Sequence, residues 1–455
     1  MLEVIILAAG QGSRMKSSLP KVLHPLAGQP LIAHVLATAR TLQADRLHVV
    51  VGHGAEAVQA AVAAPDVSCH VQEQQLGTGH AVQQAIGACE PNSQVLVLFG
   101  DVPLISEETL LQVVQSTGEG IAMLSATLAD ATGYGRVIRD GQGDFHAVVE
   151  EKDASIEQRA VKEINTGVLA AKAEPLAAWL QRVDNNNAQA EYYLPDVLGL
   201  AREDGVPVTV VCSENSFDTQ GVNTPQQLEQ LERAHQASLA DQLMHGGVVV
   251  IDRARLDIRG QLQCGQDVRI DANVVFEGAV SLADGVSIGA NCMLRDTKIG
   301  EGAQILPFTH IEGAAVEAGA VVGPYARLRP GTVVGERAKV GNFVEVKNTR
   351  LGEGAKANHL AYLGDADIGD RSNVGAGTIT CNYDGANKHR TTLGEAVFVG
   401  SNSTLVAPIT IDSGGFVAAG STLTEDVKAN QLAVARGRQR NVDGWEKPKK
   451  PEESD

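Results

Sequence analysis

The sequence offers no framework for disulfides or for structural zinc. Its six cysteines, Cys69, Cys89, Cys212, Cys264, Cys292 and Cys381, are scattered. None forms a C-x-x-C pair, and no histidine stands at zinc-ligand spacing from one. Reduced thiols in a cytosolic protein are the expectation. No apolar run approaches the ~20 residues that a membrane helix needs, so no membrane insertion is expected. The order of a secretory signal is missing too. Arg14 and Lys16 follow the apolar stretch Val4–Ala9 instead of preceding it, which points to a cytoplasmic location. Positive charge is scarce, with 37 Lys+Arg against 55 Asp+Glu and a net charge of −18. Nonspecific binding of nucleic acid or anionic lipid is therefore disfavoured. Any phosphate handled here must meet a local cluster of cations and backbone amides.

What is present reads as folded protein. Apolar residues make up 44% and charged residues 20% of 455 positions, enough chain for two or three domains. Up to residue 225, short apolar runs alternate with helical patterns. Val4–Leu7, Leu47–Val51, Val95–Leu98, Ala122–Thr127, Val168–Ala171 and Val208–Val211 predict strands. Leu31–Leu42, Ala55–Ala63, Ala81–Ala88 and Glu107–Ser116 predict helices. This alternation implies a doubly wound α/β domain over residues 1–225, its mostly parallel sheet covered on both faces. Ligands in such sheets sit beyond the C-terminal strand ends, where Gly10 and Asp101 fall.

Residues 226–246 predict a single amphipathic linker helix. Leu228, Leu231, Leu239 and Leu243 share one face, and Gly246–Gly247 ends it. Over residues 247–437 an apolar residue recurs every six positions. The runs are Ile270, Phe276, Leu282, Ile288, Leu294; then Val322, Leu328, Val334, Val340, Val346; then Val399, Leu405, Ile411, Val417, Leu423. Neither a 3.6 nor a 2.0 period produces this pattern, but a parallel β-helix of hexapeptide repeats does. Each repeat makes one flat face, three faces close a prism, and the recurring aliphatic residues stack inside. The period fails between Thr380 and Val397, which predicts a loop expelled from the coil and a candidate functional segment. Residues 438–455 are charged and contain proline, and predict a loose tail.

Straight after the first strand, Leu7-Ala-Ala-Gly-Gln-Gly-Ser-Arg-Met15 forms a glycine-rich turn. It lacks the third glycine of a dinucleotide fingerprint and the Gly-Lys-Ser/Thr of a P-loop. Its glycines let backbone N–H groups approach phosphate, and Arg14 and Lys21 add cationic charge. Asp101, in Phe99-Gly-Asp-Val-Pro103, follows a buried strand. A carboxylate there suits Mg²⁺, a hard cation that shares oxygen ligands with substrate phosphates. In the repeat region, Ala326-Arg-Leu-Arg-Pro-Gly331 sets two cations beside a tight turn, with Lys347 nearby. His359-Leu-Ala-Tyr362 offers a potential base and a hydroxyl, and Asn382-Tyr383 lies on the expelled loop.

The first half resembles the sugar-nucleotide pyrophosphorylases in Leu7–Arg14, Pro20-Lys21, Gln75-Leu-Gly-Thr-Gly79, Gly100-Asp101, Gly133-Tyr-Gly-Arg136 and Asn165-Thr-Gly167. Nearly the whole chain resembles the bacterial bifunctional N-acetylglucosamine-1-phosphate uridylyltransferase/glucosamine-1-phosphate N-acetyltransferases. The resemblance implies a nucleotidylyltransferase-like first domain, a left-handed hand for the β-helix, and trimers with sites between adjacent prisms. It implies uracil and ribose near Leu7, Ala8, Ala9, Gly10, Gln72, Gly77 and Thr78, with Gly100 also on the substrate side. It implies sugar near Gly135, Glu150 and Asn165, and Mg²⁺ on Asp101 and Asn223. In the second domain it implies His359 as general base, with Glu345 a candidate to orient or charge-stabilise it through a hydrogen bond. Arg329, Lys347, Tyr362 and Asn373 are implied to hold the sugar phosphate. Ala376, Asn382, Tyr383, Ser401, Ala419 and Arg436 are implied to contact acetyl-CoA. The family commonly has Tyr where this chain has Phe99.

The implied activity is synthesis of UDP-N-acetylglucosamine. Glucosamine-1-phosphate takes an acetyl group from acetyl-CoA, and N-acetylglucosamine-1-phosphate then takes a uridylyl group from UTP, helped by Mg²⁺, Lys21 and Arg14. Two other readings compete. One is a single-activity nucleotidylyltransferase whose β-helix only makes a homotrimer. The other is a non-catalytic scaffold.

Overall fold

The computed structural model describes residues 1–215 and 217–448. The chain divides into a compact unit from Met1 to Leu239 and a second that begins at Ala240. The division falls inside the helix Pro225–His245, the segment expected to link two domains. That helix ends where Gly247 takes φ 92°, a conformation that favours glycine. Of the expected tail, Arg438–Pro448 are exposed and form no helix or strand, and residues 449–455 lie outside the described residues.

The first unit is built on a nine-stranded sheet. Its main path runs Val208–Ser213, Ile121–Thr127, Glu163–Lys172, Gln94–Phe99, Leu2–Ala8, Arg46–Val51, Val67–Val71. All pairings along it are parallel except those of Glu163–Lys172, which runs antiparallel to both neighbours. Alternation along the central strands feeds two cores. Ile5, Leu7, Val95 and Val97 pack on one face with Trp179 and Leu198. Val4, Ile6, Leu96 and Leu98 pack on the other with Val35 and Leu110. This is why those strands read as continuous apolar runs. The chain leaves Leu2–Ala8 towards Arg46–Val51 on one side and returns at Gln94–Phe99 on the other. That reversal opens a crevice past the carboxyl ends of the two central strands. The edge strand Val67–Val71, the hairpin Arg136–Arg139 with Phe145–Val149, and the helices Ala173–Arg182 and Asp196–Glu203 are not among the elements expected from the apolar pattern.

In the second unit the hexapeptide residues do what their spacing predicts. Every member of the three runs is at most 5% exposed. Successive coils pair in parallel: Ile270 with Ile288, Phe276 with Leu294, Val340 with Ala357, Val399 with Val417. Three six-residue faces make a coil of 18 residues, although many coils are one residue shorter, as in Leu282 with Ile299. The expelled loop is present. Ile368 pairs with Leu393 across a longer interval, and the intervening chain turns back through a bridge between Tyr383 and Lys388.

Candidate functional sites

The glycine-rich turn lies at the mouth of the crevice. A cleft of about 530 Å³ is lined by Leu7, Ala8, Ala9, Gly10, Gln72, Gly77 and Thr78, together with Lys21, Phe99 and Asp101. Backbone geometry dictates two of the glycines. Gly12 has φ 60° and a Cβ there would sit 2.7 Å from the Lys21 Cβ. Gly77 has φ 109° and a Cβ would strike the Tyr192 carbonyl at 2.6 Å. Gln72 is buried and donates to the Gly77 carbonyl at 3.1 Å, which fixes the cleft wall. The Gly100 N–H donates to the Leu7 carbonyl at 2.9 Å, so the turn before Asp101 is tied to the first strand.

At the cleft floor four residues far apart in sequence meet. The Lys21 ammonium donates to Asp101 and, at 3.1 Å, to Asn223 Oδ1. Arg14 Nη2 donates to the same Asn223 oxygen at 2.9 Å. Asn223 arrives there because the Val222 N–H donates to the Asp101 carbonyl at 2.9 Å. A carboxylate oxygen and an amide oxygen thus converge on one cation. This donor pair fits Mg²⁺, with water and substrate phosphate oxygens completing the shell. Burial pushes the nearby Tyr134 hydroxyl up, and the Asp101 charge adds to that.

Gly135, Glu150 and Asn165 form a second group. The Asn165 N–H donates to the Gly135 carbonyl at 2.8 Å, and a Cβ on Gly135 would stand 2.8 Å from Glu150 Oε1. Burial raises the Glu150 carboxyl, and the charges of Asp196, Asp153 and Glu191 raise it further. Asp196 is pushed up to about 6, first by burial and then by Asp184 and Asp153. In the native state it keeps its proton to a higher pH than in the unfolded chain. Stability should therefore decline as pH rises from the ordinary aspartate range through about 6. Asp196→Asn should raise the unfolding midpoint of the first unit at pH 8. The gain should vanish below ~pH 4, where parent and variant are both neutral. Urea titrations followed through buried Trp179 test this; equal midpoint shifts at both pH values contradict it.

Sequence motifs gave no hint of Glu191, which lines the cleft beside Gln75 and Gln11. No histidine stands at zinc-ligand spacing from Cys89 in the sequence, yet the fold brings ligand atoms of Cys89, Glu3 and His48 within 4.8 Å of one another. Each has its own partner: His48 Nε2 bonds Glu3 Oε2 at 2.9 Å, the Glu90 N–H donates to the other Glu3 oxygen at 2.8 Å, and the Cys89 thiol donates to the Ala85 carbonyl at 3.9 Å. All six cysteines are unpaired.

In the β-helix, coil register assembles the other group. Arg329 and Lys347 stand on adjacent coils, as do Glu345 and Tyr362. The Arg329 guanidinium donates to Glu345 Oε1 at 2.9 Å. Glu345, expected to orient His359, is thus engaged elsewhere, and His359 Nδ1 bonds Asn342 Oδ1 at 2.8 Å. The physical reason is register: His359 pairs with Asn342, while Glu345 pairs with Tyr362. Asn382 is buried and its amide donates to Asp365, which also accepts from Asn348 at 2.6 Å. Burial alone would raise the Asp365 carboxyl, but these bonds and the Lys347 charge hold it below the usual range. Tyr383 is exposed on the loop tip, its hydroxyl donating to the Gly385 carbonyl at 2.6 Å.

The acetyl-CoA candidates form a ladder. Ala357, Val374, Val399 and Val417 pair across successive coils. Two positions past each lie His359, Ala376, Ser401 and Ala419 along one corner of the prism. Arg436 Nη1 donates to the Ala419 carbonyl at 2.7 Å. With ~4.8 Å between strands, the ladder runs ~14 Å from His359 to Ala419. Asn373 pairs with Lys356 and Phe398 on the same face.

The profile of the MobA-like NTP transferase domain matches residues 4–138. Full-length relatives extend the likeness to both units. The "Bifunctional protein GlmU" of Paraburkholderia phytofirmans is 56% identical over 99% of this chain and 99% of its own length. That of Stutzerimonas stutzeri is 54% identical over 99% of each. That of Pseudomonas entomophila is 54% identical over 100% of each. The chain belongs to the bifunctional GlmU family. It is a uridylyltransferase and an acetyltransferase that makes UDP-N-acetylglucosamine, which removes the single-activity and scaffold readings. The second unit of this GlmU-family chain is accordingly a left-handed parallel β-helix, following an α/β nucleotidyltransferase domain. Among the described residues, no helix is long and apolar enough to cross a membrane.

Proposed function

We propose that the first unit transfers uridylyl at the crevice and the second transfers acetyl along the prism corner, each with the residues assembled above. The meeting of Arg14, Lys21, Asp101 and Asn223 at one point carries the first assignment. The phosphate oxygen of N-acetylglucosamine-1-phosphate attacks the α-phosphorus of UTP in line, and pyrophosphate leaves. Lys21 and Arg14 offset the charge that develops on the phosphoryl oxygens. Asp101 and Asn223 would hold Mg²⁺, which when bound supplies Lewis-acid neutralisation of the phosphates. The cleft residues Leu7 to Gly10, Gln72, Gly77, Thr78 and Gly100 hold the nucleotide; Gly135, Glu150 and Asn165 hold the sugar.

In the second unit, His359 takes a proton from the amine of glucosamine-1-phosphate. The amine attacks the thioester carbonyl of acetyl-CoA, the tetrahedral adduct collapses, and the CoA thiolate leaves and is protonated. Arg329, Lys347, Tyr362 and Asn373 hold the sugar phosphate. Ala376, Ser401, Ala419 and Arg436, with Asn382 and Tyr383 of the expelled loop, hold acetyl-CoA. The enzyme works as a homotrimer in the cytoplasm, with the β-helix supplying the contacts.

Purified chain given glucosamine-1-phosphate, acetyl-CoA, UTP and Mg²⁺ should release CoA, pyrophosphate and UDP-N-acetylglucosamine in equal amounts. Leaving out acetyl-CoA should stop pyrophosphate release almost completely. Pyrophosphate release that ignores acetyl-CoA would mean that unacetylated sugar phosphate is used directly.

A further inference from the structure

We propose that Asn342 is a positioning residue for acetyl transfer, holding His359 in the one tautomer that can act as a base at Nε2. The inference rests on His359 being the base. Asn342 and His359 end paired strands, Lys339–Asn342 and Lys356–His359, and are register partners on adjacent coils. Their side chains meet at 2.8 Å, Asn342 Oδ1 to His359 Nδ1. An amide oxygen only accepts, so with Oδ1 facing the ring the contact is a hydrogen bond when Nδ1 carries the proton. Nε2 then keeps its lone pair and can take a proton from a substrate amine. The same bond fixes the plane of a ring that is otherwise exposed. The backbone supports the arrangement, because the Leu360 N–H donates to the Asn342 carbonyl at 3.0 Å. Glu345 does not compete for the role: its register partner is Tyr362, and its Oε1 accepts from Arg329 at 2.9 Å.

The test is a set of variants of the full-length enzyme with ¹⁵N-labelled histidine. Wild-type His359 should show an Nδ1–H tautomer, identified by its absence in His359→Ala. Asn342→Leu should mix the tautomers and lower kcat for acetyl transfer ~10-fold or more, because an orienting partner is lost. KM for both substrates should stay within about twofold, as no proposed binding group is touched. Asn342→Asp retains an acceptor for Nδ1–H and should recover most of the rate. A merely structural role would raise KM or lower thermal stability, and Asp would not rescue it. Wild-type kcat in Asn342→Leu, or an Nε2–H tautomer in the wild type, overturns the proposal. If Asn342→Leu does not fold, the wild-type tautomer and the Asn342→Asp rate decide. Failure of the underlying reading looks different: His359→Ala itself would keep its acetyl-transfer rate.

Discussion

In Asp101→Asn protein, uridylyl transfer should fall to background while acetyl transfer stays near wild type. The side chain is only 15% exposed and faces the Lys21 ammonium at the cleft floor. Asn keeps the shape, so packing is barely disturbed. What goes is the charge. Mg²⁺ loses the only carboxylate of its two proposed protein ligands, and a neutral amide oxygen is a far weaker ligand for a hard dication. Lys21 loses its counter-ion as well, and is left with neutral amide oxygens, that of Asn223 among them. Pyrophosphate release and CoA release, measured on one preparation, decide the matter. Equal loss of both activities would mean a misplaced Asp101 or an unfolded chain.

The second large effect concerns His359. His359→Ala removes the proposed base from an exposed corner and disturbs little packing. General-base catalysis is typically worth ~10²–10⁴-fold, so acetyl transfer should drop by about that range. Acetyl-CoA binding should survive, because it is assigned to Ala376, Ser401, Ala419 and Arg436. Uridylyl transfer, in the other unit, should be unchanged. A variant that keeps most of its single-turnover rate would place the base elsewhere.

The parts legible in the sequence were those buried on all sides. Leu2–Ala8 and Gln94–Phe99 read as strands because both of their faces are covered. Val67–Val71 did not, because this edge strand is half exposed and carries Ser68 and His70 among its apolar residues. The six-residue period located the β-helix, since each hit points into the same closed core. Contacts between coils were harder to read. A strict count of 18 puts position 341 opposite His359, yet the local coil is one residue short and the true partner is Asn342. Glu345 lies three residues past Asn342, opposite Tyr362, so no coil length of 17 or 18 sets it against His359. The expelled loop places Asn382 in the sequence, but no motif signals its bond to Asp365. Glu191 reaches the cleft from a segment without a motif, held by a Gly79 to Tyr192 backbone bond of 2.8 Å.

On these assignments one chain carries two independent catalytic sites. The most direct test mixes Asp101→Asn and His359→Ala proteins, each assembled separately, and supplies glucosamine-1-phosphate, acetyl-CoA, UTP and Mg²⁺. Neither protein alone should make UDP-N-acetylglucosamine at an appreciable rate. The mixture should make it after a lag, as N-acetylglucosamine-1-phosphate released by the first is taken up by the second. A mixture as inactive as its components, with both variants folded and each retaining its own half-reaction, would contradict the account.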